Sequence, residues 1–164
     1  MIVSKAAEAL GAHDAISAAI SARKRAHCPY SRYAVGACIS VPAGPAGIDG
    51  LENSGNSLFV GANVENAAYP LCLCAERAAV SAAVVAGRLP VPASSDLQPL
   101  IVVVAEGCAP VTPCGACRQV LAEAMPGGRV LCIALGVDVS SSPCALYSVA
   151  DLLPHAFGAA HLSS

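Results

Sequence analysis

Two short cysteine motifs contain the residues of this chain that could form a reactive site. One is Cys74-Ala75-Glu76, and the other is a Cys-x-x-Cys pair formed by Cys114 and Cys117. The three cysteines offer three thiolates to a zinc ion, and catalytic zinc keeps its fourth position for water. Glu76 could then move protons beside the metal without binding it, with a pKa that a dry pocket would raise toward the working range. The motifs therefore predict a catalytic zinc centre with one carboxylate base.

A structural zinc site is the competing interpretation of the same cysteines. With Cys72 included, two cysteine pairs could hold one zinc ion through four sulfurs. On the cysteines alone, the two interpretations stand about level. Glu76 and Arg77 favour the catalytic interpretation, because a structural site needs neither of them.

The charge of the sulfur cluster predicts a further set of contacts. Three thiolates around a doubly charged ion leave a net negative cluster, which opposes the ionisation of a bound water. Arg77 could offset this charge by a hydrogen bond to a ligand sulfur, and Gln119 could act as a weaker donor. If helices begin at Cys74 and at Cys114, two positive helix ends converge on the metal and favour thiolate over thiol.

The hydrophobic pattern predicts the elements that must position these residues. It favours helices over residues 4–26, 74–86, 113–124 and 149–153, strands over 33–41, 58–64, 100–105, 130–135 and 146–148, and loops over 42–57 and 91–99. This order predicts an α/β fold, a three-layer α/β/α sandwich with one mixed five-stranded sheet. At 164 residues, the chain is expected to form a single domain over residues 1–164.

Composition narrows the classes of function. The chain is 55% hydrophobic and 12% charged, which favours an oligomer that covers apolar surface. Its net charge of −2 argues against nucleic-acid binding, and its short apolar runs argue against a membrane span. Nine cysteines without an export signal predict a reducing, cytoplasmic compartment in which most of these side chains are simply buried.

The chain resembles the small homotetrameric, zinc-dependent cytidine deaminases of nucleoside salvage. The resemblance is carried in family order by five segments: residues 28–37, 63–70, 74–77, 113–119 and 152–158. It implies one zinc ion per subunit, a pyrimidine nucleoside as substrate, and a homotetramer whose sites are shared between subunits. Two departures from the family pattern are Cys72, where glycine is usual, and a longer 42–57 loop.

The same resemblance implies particular roles for residues around the zinc. Asn63 and Glu65 would hydrogen-bond the ribose, chiefly its 3′-hydroxyl, and Tyr33 would lie against the base and sugar. The backbone at Ala75 would contact the pyrimidine oxygen. Tyr69 would line the subunit interface. Phe157 would reach the pyrimidine in a neighbouring subunit's site.

The expected reaction is hydrolytic deamination of cytidine and 2′-deoxycytidine to the corresponding uridines, with release of ammonia. Two alternatives remain at this stage. One is the same chemistry on another substrate, such as an aminonucleoside antibiotic or a base in nucleic acid. The other is a zinc-stabilised interaction module without activity. The intact Asn63 and Glu65 pair argues against the antibiotic, and the low charge argues against the polynucleotide.

Overall fold

The computed structural model describes residues 1–43, 55–92 and 94–162, which form five helices and five strands. In chain order these are α1 (Val3–Leu10), α2 (His13–Arg23), β1 (Val35–Val41), β2 (Ser57–Ala62), α3 (Ala75–Val85), β3 (Leu100–Glu106), α4 (Gly115–Ala124), β4 (Arg129–Leu135), β5 (Cys144–Ser148) and α5 (Val149–Leu152). Short 3-10 turns lie at Tyr69–Leu71 and Ala159–His161. None of the helices in these ranges is long and apolar enough to cross a bilayer.

The N-terminal helix differs from the prediction. The hydrophobic pattern favoured one helix over residues 4–26, but the structure has two helices that meet at Gly11. Gly11 adopts a left-handed conformation with φ of 58°, and its N–H donates to the carbonyl of Glu8, which ends α1. Glycine takes this conformation without the steric cost of a Cβ, so it commonly terminates helices. The apolar spacing continues across the break, so periodicity alone could not detect it.

The sheet is mixed and has five strands, as predicted. Its order is β2-β1-β3-β4-β5, in which β3 and β4 are parallel and the other neighbours are antiparallel. Much of the predicted 42–57 loop, residues 44–54, and Ala93 of the 91–99 connection lie outside the described residues.

Strand direction explains why two helices begin at one edge of the sheet. Both β2 and β3 run antiparallel to β1, and Gly36 of β1 faces Ala62 on one side and Val104 on the other. The carboxyl ends of β2 and β3 therefore flank the start of β1 at the same edge. Because α3 follows β2 and α4 follows β3, the N-termini of both helices lie at this edge.

Alternation along the strands produces two cores and confirms the three layers. On β3, Leu100, Val102 and Val104 pack with α1 and α2, whereas Ile101 and Val103 pack with α3, α4 and α5. Successive side chains of a strand point to opposite faces, so a continuous apolar strand can serve both cores. All nine cysteines are among the described residues and are free thiols.

Candidate active site

Three cysteine sulfurs meet at the sheet edge where α3 and α4 begin. The Sγ atoms of Cys74, Cys114 and Cys117 all lie within 4.8 Å of one another, and those of Cys74 and Cys114 are 4.0 Å apart. A tetrahedral zinc ion about 2.3 Å from each sulfur requires sulfur–sulfur separations of about 3.8 Å. Small side-chain adjustments would bring the three sulfurs to this geometry, so the donor set fits zinc.

The local backbone directs these sulfurs toward a common point. Cys74 and Cys114 occupy the N-cap positions of α3 and α4, with extended backbones and no side-chain capping bond. Cysteine replaces the oxygen-bearing side chain that usually caps a helix, which leaves its sulfur available to a metal. Cys117 lies in the first turn of α4 and is completely buried. The positive ends of both helices therefore face the sulfur cluster.

The thiols of this cluster need a cation to ionise together. Burial is the main cause that raises the pKa of Cys117 and of Cys74, and the carboxylate of Glu76 acts in the same direction on both. For Cys114, burial also acts to raise the pKa, but hydrogen bonds from the backbone and thiol of Cys117 and from Cys74 outweigh it. A divalent ion would supply the positive charge that three neighbouring thiolates require.

Cys72 lies outside the sulfur group, although it lines the neighbouring cavity. Its Sγ accepts a hydrogen bond from the N–H of Asn66 at 3.3 Å and donates to the carbonyl of the same residue at 3.6 Å. Among the described residues, the group suited to a metal consists of three cysteines, without Cys72. The geometry thus favours the three-ligand interpretation over a four-cysteine structural site.

Arg77 lies where it can moderate the charge of the cluster. Its Nη2 donates to the Cys72 carbonyl at 2.9 Å and approaches the Sγ of Cys74 at 3.9 Å. Its Nε is buried and has no hydrogen-bond partner within the described part of the chain. An ionised sulfur is the kind of acceptor that this N–H lacks.

Gln119 has a different partner from the one that we expected. Its Nε2 donates to the backbone carbonyl of Phe157 at 2.7 Å. Among the described residues, no hydrogen bond joins Gln119 to a sulfur. This bond ties the C-terminal segment to α4. A contact of this kind depends on a carbonyl 38 positions away, which no local pattern indicates.

Glu76 is the buried carboxylate of the site. It is the second residue of α3, has an exposed fraction of 6%, and lines the cavity beside the cysteines. Burial raises the pKa of its carboxyl, an effect only partly offset by hydrogen bonds from its own backbone and from Cys117. A carboxyl whose pKa is raised in a dry site suits a group that must both accept and return protons.

A cavity of about 380 Å³ connects the sulfur cluster to the predicted sugar-binding residues. Its lining includes four of the predicted substrate-binding residues, Tyr33, Asn63, Glu65 and Ala75. Its lining also includes Val111 and Thr112, which the sequence did not indicate. Both residues come just before the Cys-x-x-Cys pair in the chain, and this closeness in sequence was the available signal that they line the site.

Asn63 and Glu65 are fixed by backbone contacts on both sides of their short segment. The carbonyl of Asn63 accepts from the N–H of His27, the N–H of Glu65 donates to the carbonyl of His27, and Val64 exchanges two hydrogen bonds with Leu73. Residues two apart on an extended segment point to the same side. The two side chains therefore face the cavity together.

Their remaining hydrogen-bonding groups match a hydroxyl. Asn63 accepts from the N–H of Val35 at 2.8 Å and donates to the carbonyl of Tyr33 at 2.9 Å, so one of its two amide N–H donors remains. Glu65 accepts from the backbone N–H groups of Tyr30 and Ser31 and from the Ser31 hydroxyl. The Ser31 hydroxyl is the main cause of the lowered pKa of Glu65, which keeps it an ionised acceptor.

Two predicted aromatic residues do not line this cavity. Tyr69 is 69% exposed and packs edge-to-face on Tyr30, with ring centroids 6.1 Å apart. Phe157 is 57% exposed and stacks on His161 at 5.3 Å. Both rings are therefore largely exposed at the surface of this chain.

Two glycines allow close approach of helices to the sheet and provide a matched test of the site. A Cβ on Gly61 would collide with the carbonyl oxygen of Ala75 at the start of α3, and one on Gly36 would collide with that of Ala19 in α2. We expect either change to alanine to lower the free energy of unfolding by about 1–3 kcal/mol. Only Gly61→Ala should also weaken zinc binding, because α3 presents Cys74. Denaturant unfolding and zinc titration of both variants check this prediction, and equal zinc affinities would contradict it.

The comparisons with known proteins agree with this geometry. The model of the cytidine and deoxycytidylate deaminase zinc-binding region matches residues 11–133. The cytidine deaminase of Halalkalibacterium halodurans is 41% identical over 145 residues, covering 88% of this chain and 92% of that protein. That of Mycobacterium tuberculosis H37Rv is 37% identical over 142 residues, covering 85% and 84%.

A solved structure resembles this chain in both fold and sequence. The crystal structure of cytidine deaminase from Burkholderia pseudomallei superposes with a TM-score of 0.66 at 39% identity, covering 88% of this chain and 98% of that one. The matched region holds all three cysteines and Glu76. On this evidence, the chain belongs to the cytidine deaminase family.

Proposed function

We propose that this chain catalyses the zinc-dependent hydrolytic deamination of cytidine, and of 2′-deoxycytidine, in pyrimidine nucleoside salvage. The observation that carries the proposal is a single cavity lined by two cysteines of the three-sulfur cluster, by the buried carboxylate of Glu76, and by Asn63 and Glu65. The named relatives of this chain are cytidine deaminases, which supports the same substrate here.

Cys74, Cys114 and Cys117 would hold the zinc ion. Bound zinc with three protein ligands supplies an open position at which the pKa of water falls to near neutrality. Arg77 would limit the negative charge that three thiolates build up beside this position. The N–H at Ala75, the first residue of α3, would lie toward the pyrimidine oxygen.

Glu76 would carry the protons of the reaction. It would accept a proton from the attacking water as the bond from oxygen to C4 forms, and would deliver that proton to ring N3. It would then pass a second proton from the new hydroxyl to the amino group, so that the bond from C4 to nitrogen breaks and ammonia leaves. Water and cytidine thus become uridine and ammonia, and Glu76 returns to its ionised form.

The decisive experiment follows cytidine absorbance in the ultraviolet with purified, zinc-loaded protein. Conversion to uridine with one zinc per subunit is the expected result. Full zinc occupancy without conversion of cytidine or 2′-deoxycytidine would overturn the proposal and favour a zinc-stabilised interaction module. A single-stranded oligonucleotide that contains cytosine serves as the substrate control, and we expect no deamination of it.

Glu65 should determine affinity for the sugar. We expect Glu65→Gln to raise KM for cytidine about 10–100-fold, because a hydrogen bond to a charged group contributes about 1.5–3 kcal/mol. The effect on kcat should be much smaller, since Glu65 is proposed to bind the sugar and takes no part in the proton transfers. Steady-state kinetics with cytidine and 3′-deoxycytidine measure this difference. If Glu65→Gln raises KM for 3′-deoxycytidine by the same factor as KM for cytidine, the 3′-hydroxyl is not the partner of Glu65.

The chain is further proposed to act as a cytoplasmic homotetramer of single-domain subunits that share their sites. The exposed rings of Tyr69 and Phe157 support an assembly in which Tyr69 lies at an interface and Phe157 enters a neighbouring site. Light scattering during gel filtration should give four times the mass of one subunit. Phe157→Ala should raise KM without loss of zinc. A monomeric mass with full activity would contradict the shared sites.

A further inference from the structure

The segment that leads into Cys114 has little support from its own backbone. Residues 107–113 connect β3 to α4, and two of them, Pro110 and Pro113, have no N–H to donate. Within the described residues, the backbone groups of this segment make no hydrogen bonds to other backbone groups. The segment nevertheless presents Thr112 to the cavity and Cys114 to the metal site. Something other than regular backbone pairing must hold it in place.

The guanidinium of Arg118 supplies these contacts. Its Nε donates to the carbonyl of Pro113 at 2.7 Å, and its Nη2 donates to the hydroxyl of Thr112 at 2.6 Å. Its Nη1 reaches the carbonyl of Leu152, at the end of α5, at 3.3 Å. One planar fork therefore connects the segment before Cys114 to the C-terminal end of the fold.

Cys114 is held from both sides by the same residue. The backbone N–H of Arg118 donates to the carbonyl of Cys114 at 2.9 Å, which is the first hydrogen bond of α4. The side chain of Arg118 then turns back to the residue that precedes Cys114. The sulfur of Cys114 makes no capping bond and stays available to the metal, while the guanidinium fixes the backbone carbonyl of the residue before it.

We propose that Arg118 is a positioning residue that fixes Cys114 and Thr112 for zinc binding and catalysis, through the fork geometry of its guanidinium. The proposal rests on the proposed function in taking Cys114 as a zinc ligand. Arg118 contacts no sulfur in the described hydrogen bonds, so its effect on the metal passes through the backbone of residues 112–114.

The planar geometry of the guanidinium distinguishes a positioning role of Arg118 from a general effect of its positive charge. Three donors at fixed angles reach two acceptors in the segment before Cys114 and one at the end of α5, and a lysine ammonium cannot reproduce that arrangement. Loss of contacts behind a metal ligand typically weakens metal affinity or activity about 10–100-fold. We therefore expect Arg118→Lys to resemble Arg118→Met rather than the unchanged protein.

The rate of zinc release to a chromogenic chelator, measured well below the unfolding temperature, tests the proposal without using cytidine. Arg118→Lys and Arg118→Met should each release zinc about 10–100-fold faster. Thr112→Val, which removes one of the three contacts, should give a smaller increase and serves if the Arg118 variants do not fold. Millimolar guanidinium should partly restore slow release to Arg118→Met, which a role in folding stability alone would not explain.

Arg88 provides a matched control. Its Nη2 also donates to a proline carbonyl, that of Pro42, at 2.8 Å, but this residue lies apart from the sulfur cluster. Arg88→Met should therefore leave zinc release unchanged within about twofold, even if it lowers the unfolding temperature. Release from Arg118→Lys as slow as from the unchanged protein, or equal acceleration in Arg88→Met, would overturn the proposal. Absence of cytidine turnover in the unchanged, zinc-loaded protein would instead count against the proposed function.

Discussion

Replacing Glu76 with glutamine should leave one zinc ion per subunit and lower kcat for cytidine by about 10²–10⁴-fold. The Glu76 carboxylate, buried beside the cysteines, can accept a proton from water and return it to the base, and the amide of glutamine can do neither at neutral pH. Glutamine has nearly the same volume, so a site that is only 6% exposed should accommodate it. Steady-state kinetics and zinc analysis of the same preparation measure the two effects together.

The structure also predicts how the loss should divide between kcat and KM. Glu76 is buried beside the cysteines and is proposed to move protons at the base, whereas Asn63 and Glu65 are proposed to bind the sugar. Binding of the nucleoside should therefore change much less than kcat. An active Glu76→Gln enzyme would remove Glu76 from the proton transfer, and a zinc-free one would show that Glu76 stabilises the metal site instead.

Cys74→Ser should abolish zinc binding at stoichiometric concentrations, whereas Cys72→Ser should retain about one zinc per subunit. Loss of one of three sulfur ligands should lower zinc affinity by more than the factor of about 10–100 that is typical for loss of a contact behind a ligand. Cys72 is a matched control because it is also a half-buried cysteine, two positions away, at the same cavity. Metal analysis after dialysis, with a chelator competition assay, gives the affinities.

The opposite outcome has a clear meaning as well. Retention of zinc by Cys74→Ser together with its loss from Cys72→Ser would exchange the two ligand assignments. Loss from both variants would restore the four-sulfur structural site as an interpretation. The structure argues against both results, because the sulfur of Cys72 is already engaged with the backbone of Asn66.

Local chemistry made much of the site predictable from the sequence. A Cys-x-x-Cys pair at the first turn of a helix places two sulfurs on one side whatever the rest of the fold does. Glu76 belongs to the same short motif as Cys74, and the two residues line one cavity in the structure. The continuous apolar strand Leu100–Glu106 indicated a covered sheet, and the structure has two cores on its faces.

The sequence was a poorer guide where a single residue overrides a periodic pattern. Gly11 divides a helix whose apolar spacing continues without interruption, because its left-handed conformation ends the hydrogen-bond ladder. The sequence also did not indicate the hydrogen bond that the Gln119 amide makes to a backbone carbonyl 38 positions away.

By itself, the sequence therefore determined the set of chemical groups: three thiolates, a carboxylate, a guanidinium and a polar pair for a sugar. Only the tertiary structure decided which groups meet. The common direction of β2 and β3 brings Cys74 and Cys114 to one sheet edge from 40 positions apart. Folding also selects the two carbonyl acceptors of Arg118, because backbone carbonyls are present at every residue and only the fold decides which lie within reach.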